Sequence, residues 1–176
     1  MILPEATVML RRTPAALTAL LTELPDEWLH RDDGPGSWSA YAIVGHLVHA
    51  DATNWLPRIR TILQHGSGRA FEPFDRYAML SWQPQAATVL LDRFSDVRSA
   101  SVDELDSLRL TAADLERRGA HPEMGEVTLG QVVSAWVAHD LTHLAQVGEV
   151  LARRYRDDVG PYRAFMPALE RFAEAE

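Results

Sequence analysis

The sequence predicts an all-α fold, an antiparallel four-helix bundle with short extra helices. Apolar residues recur at helical spacing through four long stretches, and Ser, Thr, Pro and Gly punctuate the stretches as caps and breakers. Strand signals are weak: β-branched runs such as Val132-Val133 are short and lie inside helical patterns. The 176 residues, read as one domain over 1–176, suffice for a sizeable core.

A first helix is expected over about residues 4–23, where Leu10, Leu17, Leu20 and Leu21 fall near helical spacing and Pro25 follows. Residues 26–36 read as loop because Asp32, Asp33, Gly34, Pro35 and Gly36 are strong breakers. Ser37 is then the expected N-cap of a second helix starting at Trp38. That helix carries no Asp, Glu, Lys or Arg through Ala50, so most of its sides should be buried. Pro57 should kink or restart it before it ends near Gln64, ahead of Gly66 and Gly68. Residues 69–81 read as a long loop. A third helix is expected from Gln83-Pro84, with Val89, Leu90, Phe94, Val97 and Leu105 on one side.

A short helix over 112–118 fits a Thr111 cap, and 119–125 read as loop. The last long helix has the clearest start, a capping box of Thr128 and Gln131. It is uncharged from Thr128 to His139 and should end around Arg153–Arg156, where cations suit the negative end of the helix dipole. A short helix over 162–172 closes the chain. The two uncharged helices should face each other or a second subunit, so a homodimer is expected.

Composition removes several functions. An apolar share of 47% with 24% charged residues is a globular balance and argues against disorder. The net charge of −8, with no basic cluster, argues against nucleic acid and anionic membrane surfaces as partners. The absence of cysteine excludes disulfides, thiolate metal sites and a cysteine nucleophile. No uncharged apolar run has the length to span a bilayer, and Met1 to Glu5 lack the features of a signal peptide, so the cytoplasm is the expected location.

Three histidines stand out among seven. His139 and His143 lie four apart, which stacks their rings on one helix face about 6 Å apart. Two polar rings in an apolar stripe need a buried partner, and a metal ion satisfies both. His46 lies in the middle of the other uncharged helix, among the small neighbours Ala42, Ala50 and Thr53. Facing helices offering one and two histidines can close a three-nitrogen site. The plain alternative is that all three are packed core histidines held by hydrogen bonds. His49 competes with His46 or adds a fourth nitrogen. Asp51 is a candidate to orient a histidine from behind, or else a surface ion-pair partner, and Asp140 should point away from His139 into solvent or toward a cap. His30, His65 and His121 fall in or near loops.

The stretch from Trp38 through His46 to Asp51 resembles the second helix of the DinB-like metal-binding bundle family, in which a Trp opens the helix and a ligand His follows eight residues later. The segment Thr128 to Gln131, then His139, His143 and Gln146, resembles that family's last long helix. The loop from His121 to Gly125 also resembles the family's approach to that helix. The resemblance implies a four-helix bundle, often a homodimer, holding a divalent metal such as zinc or nickel through three histidines. Some relatives are transferases or isomerases that use a low-molecular-weight thiol, bacillithiol or mycothiol. It therefore implies a metal-dependent enzyme of thiol-dependent S-transferase or hydrolase type acting on a small molecule, with Gln146, His49 and Asp51 around the ligands His46, His139 and His143. A non-catalytic dimeric bundle with a structural metal or a ligand-binding role is the alternative.

Overall fold

The computed structural model describes residues 3–34 and 36–170. Four long helices, α1 (Leu3–Leu21), α3 (Ala40–Thr53), α5 (Ala87–Ser107) and α7 (Leu129–Ala152), form a bundle. Three short helices accompany them: α2 (Asp26–His30), α4 (Trp55–His65) and α6 (Ala112–Leu115). A two-stranded hairpin, β1 (Arg118–His121) with antiparallel β2 (Gly125–Thr128), precedes α7.

Two apolar clusters fill the ends of the bundle, and they reveal helix direction. One joins Ala6 and Leu10 of α1 with Ala50 of α3, Val102 and Leu105 of α5, and Leu129 to Trp136 of α7. The other joins Leu17 and Leu21 with Ala40 to Val48, Leu90 to Phe94, and Val147 to Leu151. So α1 and α7 run one way and α3 and α5 the other. The α1–α5 and α3–α7 pairs are antiparallel. Connecting two parallel helices, α3 and α5, requires a crossover, and residues 66–86 supply it.

A buried ionic layer separates the clusters. Arg98 of α5 is 1% exposed and uses all five of its N–H donors. Two go to Asp51 at 2.5 and 3.0 Å, two to Asp140, and one to the Leu10 carbonyl at 2.8 Å. The last bond has a local cause. Pro14 lies inside α1 and has no N–H for the carbonyl four residues back, so Leu10 is left with a free acceptor. Trp136 donates its indole N–H to Asp51 at 2.9 Å. Asp51 and Asp140 are thus buried in this layer, which corrects the expectation of surface or solvated carboxylates. Each strengthens the other's dependence on the one guanidinium.

Several boundaries differ from the sequence expectation. Residues 26–30 form α2 rather than loop, because Leu29 is buried in the core. Ser39, not Ser37, caps α3 by accepting from the Ala42 amide at 3.2 Å. Ser37 instead closes the preceding loop, accepting from the Asp33 amide and donating to the Gly34 carbonyl. The second helix breaks at Asn54, three residues before Pro57, because the Pro57 ring cannot donate to Thr53 and crowds its carbonyl. α5 starts at Ala87 rather than at Pro84, since the Tyr41 hydroxyl holds the Gln85 amide and carbonyl in an extended segment. α6 ends at Leu115, and 119–125 belong to the hairpin rather than to a loop. The closing segment forms short 3-10 turns at Gly160–Phe165 and Pro167–Leu169. The rest of that expected helix, Arg171 and Phe172, lies outside the described residues. The capping box of Thr128 and Gln131 is present as expected. Among the described residues, no helix is long and apolar enough to cross a membrane.

Candidate metal centre

Antiparallel packing of α3 on α7 sets His46 opposite His139 and His143. The Nε2 atoms of His46 and His139 are 2.9 Å apart, and those of His143 and His139 are 3.1 Å apart. The three ligand atoms lie within 4.8 Å of one another. His46 and His143 are buried, while His139 is 22% exposed and forms the side open to the cavity.

The proton positions follow from the other ring nitrogens. His46 Nδ1 donates to the Arg76 carbonyl at 3.1 Å, and a carbonyl can only accept. His143 Nδ1 donates to the Gln146 side-chain oxygen at 2.6 Å. In their neutral forms both rings therefore present a bare Nε2 lone pair. Two bare lone pairs converge on a third imidazole nitrogen. One proton on His139 can serve only one of them well, whereas a cation serves all three. Three nitrogens about 2.0–2.1 Å from a tetrahedral ion would be roughly 3.3 Å apart, close to the spacing here. The donor set fits a divalent metal.

Electrostatics keep the rings neutral. Burial pushes the His46 imidazole down to about 4, with the nearby His139 ring adding to the effect. Burial pushes His143 down to about 3, again with His139 second. A neutral imidazole is the ligating form. Trp38 packs on both buried rings, 4.8 Å from His46 and stacked at 6.0 Å on His143. Trp55 meets His139 edge-on at 5.2 Å.

The other sequence candidates separate. Gln146 touches the site, as the acceptor that orients His143. His49 lies outside the converging group and stacks on Phe74 at 5.1 Å, because three residues along α3 turn it away from His46. Asp51 touches Arg98 and Trp136 rather than a histidine. Asp140 lies 4.0 Å from His139 Nδ1, beyond hydrogen-bond length. His30 and His65 are exposed, and His121 lines the cavity mouth.

Sequence reasoning missed the Arg76 carbonyl, since a backbone group in a loop leaves no residue-type signal. It also missed Arg58 and Asn54, which line the cavity. This cavity, about 860 Å³, opens beside the three histidines. The hairpin turn at Pro122, Glu123 and Met124 forms one wall, and Phe74 and Arg76 of the crossover form another. The arrangement offers three imidazole nitrogen donors at the edge of a space large enough for a small organic molecule.

Comparison with known proteins agrees with this fold. The family model of the DinB superfamily matches residues 9–147. The fold is similar to that of YfiT from Bacillus subtilis, described as a probable metal-dependent hydrolase with an unusual four-helix bundle topology. The TM-score is 0.74 at 21% identity, and the match covers 86% of each chain. No curated protein matches the sequence.

Proposed function

The chain belongs to the DinB superfamily, and on that premise we propose that it is a metal-dependent enzyme acting on a small molecule, with His46, His139 and His143 as ligands of one divalent ion. The observation that carries this reading is the convergence of three Nε2 atoms at the edge of an open cavity. A purely structural site would be closed by a fourth protein ligand, and His49, the nearest candidate, faces Phe74 instead.

Each residue has a defined task. The Arg76 carbonyl and Gln146 fix the two buried rings with Nε2 inward. Trp38 and Trp55 hold ring orientation and exclude water from the buried side. His139 faces the cavity and sets where a substrate meets the site. When bound, a zinc or nickel ion there would supply Lewis acidity that brings a water or a thiol toward deprotonation near neutral pH. Hydrolysis uses the water, and thiol-dependent S-transfer uses a low-molecular-weight thiol. Hydrolysis is the activity class named for YfiT. A thiol co-substrate is consistent with a chain that has no cysteine of its own.

Elemental analysis of purified protein tests the site. About one divalent ion per chain is expected, with most of it lost in His139→Ala and His143→Ala. Gln146→Leu should bind metal ~10- to 100-fold more weakly, since only the orienting acceptor is removed. Equal metal content in wild type and both alanine variants would refute the assignment. A cobalt-loaded sample then separates the two chemistries: a sulfur-to-metal charge-transfer band on adding bacillithiol or mycothiol supports S-transfer, and an unchanged spectrum favours hydrolysis.

A further inference from the structure

The cavity is lined by a cation and an amide whose side chains, among the described residues, make no hydrogen bond. Arg58 of α4 is half-buried, and among the described residues it makes no hydrogen bond and no ion pair. Its Nε is fully buried without a partner. Its guanidinium sits over the Phe71 ring at 5.4 Å, which holds the planar group without neutralising it. Asn54 is 6% exposed and occupies the N-cap position of α4, where an asparagine ordinarily caps the helix. Its side chain makes no capping bond and, among the described residues, no other hydrogen bond. Both residues line the cavity that the three histidines border.

The Arg58 Nε is sealed in without a partner, while the terminal guanidinium nitrogens and the Asn54 amide are not sealed in and belong to residues that line the cavity, where a ligand's acceptor can replace water. We propose that Arg58 and Asn54 form a carboxylate-binding subsite, which holds the acid group of the substrate while its reactive end lies at His46, His139 and His143. The subsite rests on the reading of the cavity as a substrate site. A guanidinium offers a carboxylate two parallel N–H bonds, and an adjacent amide NH2 adds a third donor.

The surrounding charges favour a monoanion. Glu123, on the hairpin turn, is the carboxylate that acts on Arg58 from across the cavity, and it lies beyond ion-pair distance. His121 accepts the Glu123 and Met124 amides at Nδ1, so its neutral ring keeps the proton on Nε2 as a further donor. Arg153 at the other end of the cavity is already committed to Asp33 at 2.5 Å. Arg76 is exposed at the rim. One available half-buried cation beside a competing carboxylate suits a single negative charge and leaves a phosphate dianion undercompensated.

Calorimetric titration of the metal-free full-length protein with hexanoate, 1-hexanol and inorganic phosphate tests the subsite without involving the histidines as metal ligands. Hexanoate should bind at least tenfold more tightly than hexanol or phosphate. Arg58→Gln should weaken hexanoate at least tenfold, leave hexanol unchanged, and retain wild-type metal content and melting temperature. Asn54→Asp, which sets a like charge against the ligand, should also weaken hexanoate about tenfold. Glu123→Gln, at an exposed position, should tighten it two- to fivefold by removing the competitor. Three results would each overturn the proposal: no hexanoate binding, phosphate bound as tightly as hexanoate, or unchanged hexanoate affinity in folded Arg58→Gln and Asn54→Asp. A wild-type protein that takes up no divalent ion would defeat the metalloenzyme reading alone, because hexanoate binding is measured without metal.

Discussion

At the residue scale, the histidines behave as a group because burial and their mutual proximity act in the same direction. In the unfolded chain each titrates near 6.5. In the folded metal-free protein His46 is held down to about 4 and His143 to about 3. Between those values the unfolded chain binds more protons, so acidification favours unfolding. The rings therefore cost no stability above about pH 6.5, and the metal-free protein loses stability as pH falls from there toward 4. Asp51 works in the opposite sense: burial raises its carboxyl to about 6, so its contribution improves as pH falls from about 6 toward its ordinary value. Two rings outweigh one carboxyl. Urea unfolding of metal-free protein at pH 7.5 and pH 4.5 should show a lower midpoint in acid, with a smaller drop in His143→Leu. A midpoint that rises in acid would mean that Asp51 outweighs the two rings.

At the element scale, the hairpin and the crossover shape the cavity, and close packing holds them. Gly119 in β1 is pressed against α4 and the crossover. A Cβ there would sit 2.6 Å from Ile62 Cγ1 and 2.9 Å from Phe71 Cζ, both in buried side chains. Neither can retreat without opening the core around α4. Gly119→Ala should therefore destabilise the protein by about 1–3 kcal/mol, as overpacking does. It should also weaken hexanoate binding, because Arg58 and Glu123 are attached to the displaced elements. Thermal unfolding checks the first effect and calorimetry the second; an alanine variant with wild-type stability would show that the hairpin floats free of α4. The Thr128 and Gln131 capping box that begins α7 follows directly from sequence, since both partners lie within one turn. The hairpin before it does not: its four-residue strands show no alternation, and its position depends on the Phe71 amide bonding the Ala120 carbonyl.

At the scale of the whole molecule, Arg98 ties α1, α3, α5 and α7 together through one side chain. Arg98→Leu removes the guanidinium that pairs both carboxylates and leaves Asp51, Asp140 and the Leu10 carbonyl facing one another in the interior. The expected loss is about 3–5 kcal/mol, measured by urea unfolding at neutral pH. A loss below about 1 kcal/mol would mean that water replaces the guanidinium. The homodimer remains a proposal with a narrower basis. α3 is covered by its own chain, so its apolar character no longer calls for a second subunit. α7 keeps an exposed uncharged face with Ser134, Ala138, Leu141 and Ala145. Association through that face predicts a sedimenting mass twice 19.7 kDa at micromolar concentration, and a mass of 19.7 kDa would refute it.

The sequence by itself determined the helical class, the capping of α7 and the placing of His139 and His143 on one helix face. These are short-range facts: a four-residue spacing fixes His139 and His143 on one face whatever the rest of the chain does, whereas the approach of His46, 93 residues from His139, comes from the packing of α3 on α7. Only the tertiary structure decided which way each ring points its lone pair, because the acceptor for His46 is a backbone carbonyl 30 residues away. It alone paired Arg98 with Asp51, 47 residues distant, and so made a buried ionic layer of carboxylates that read as surface groups. It also diverted Asn54 from capping α4 into the cavity beside Arg58. The physical reason is the same in each case. Periodicity and caps are set by the local backbone, whereas hydrogen-bond partners across a crossover are set by packing, which leaves no regular mark on the order of residues.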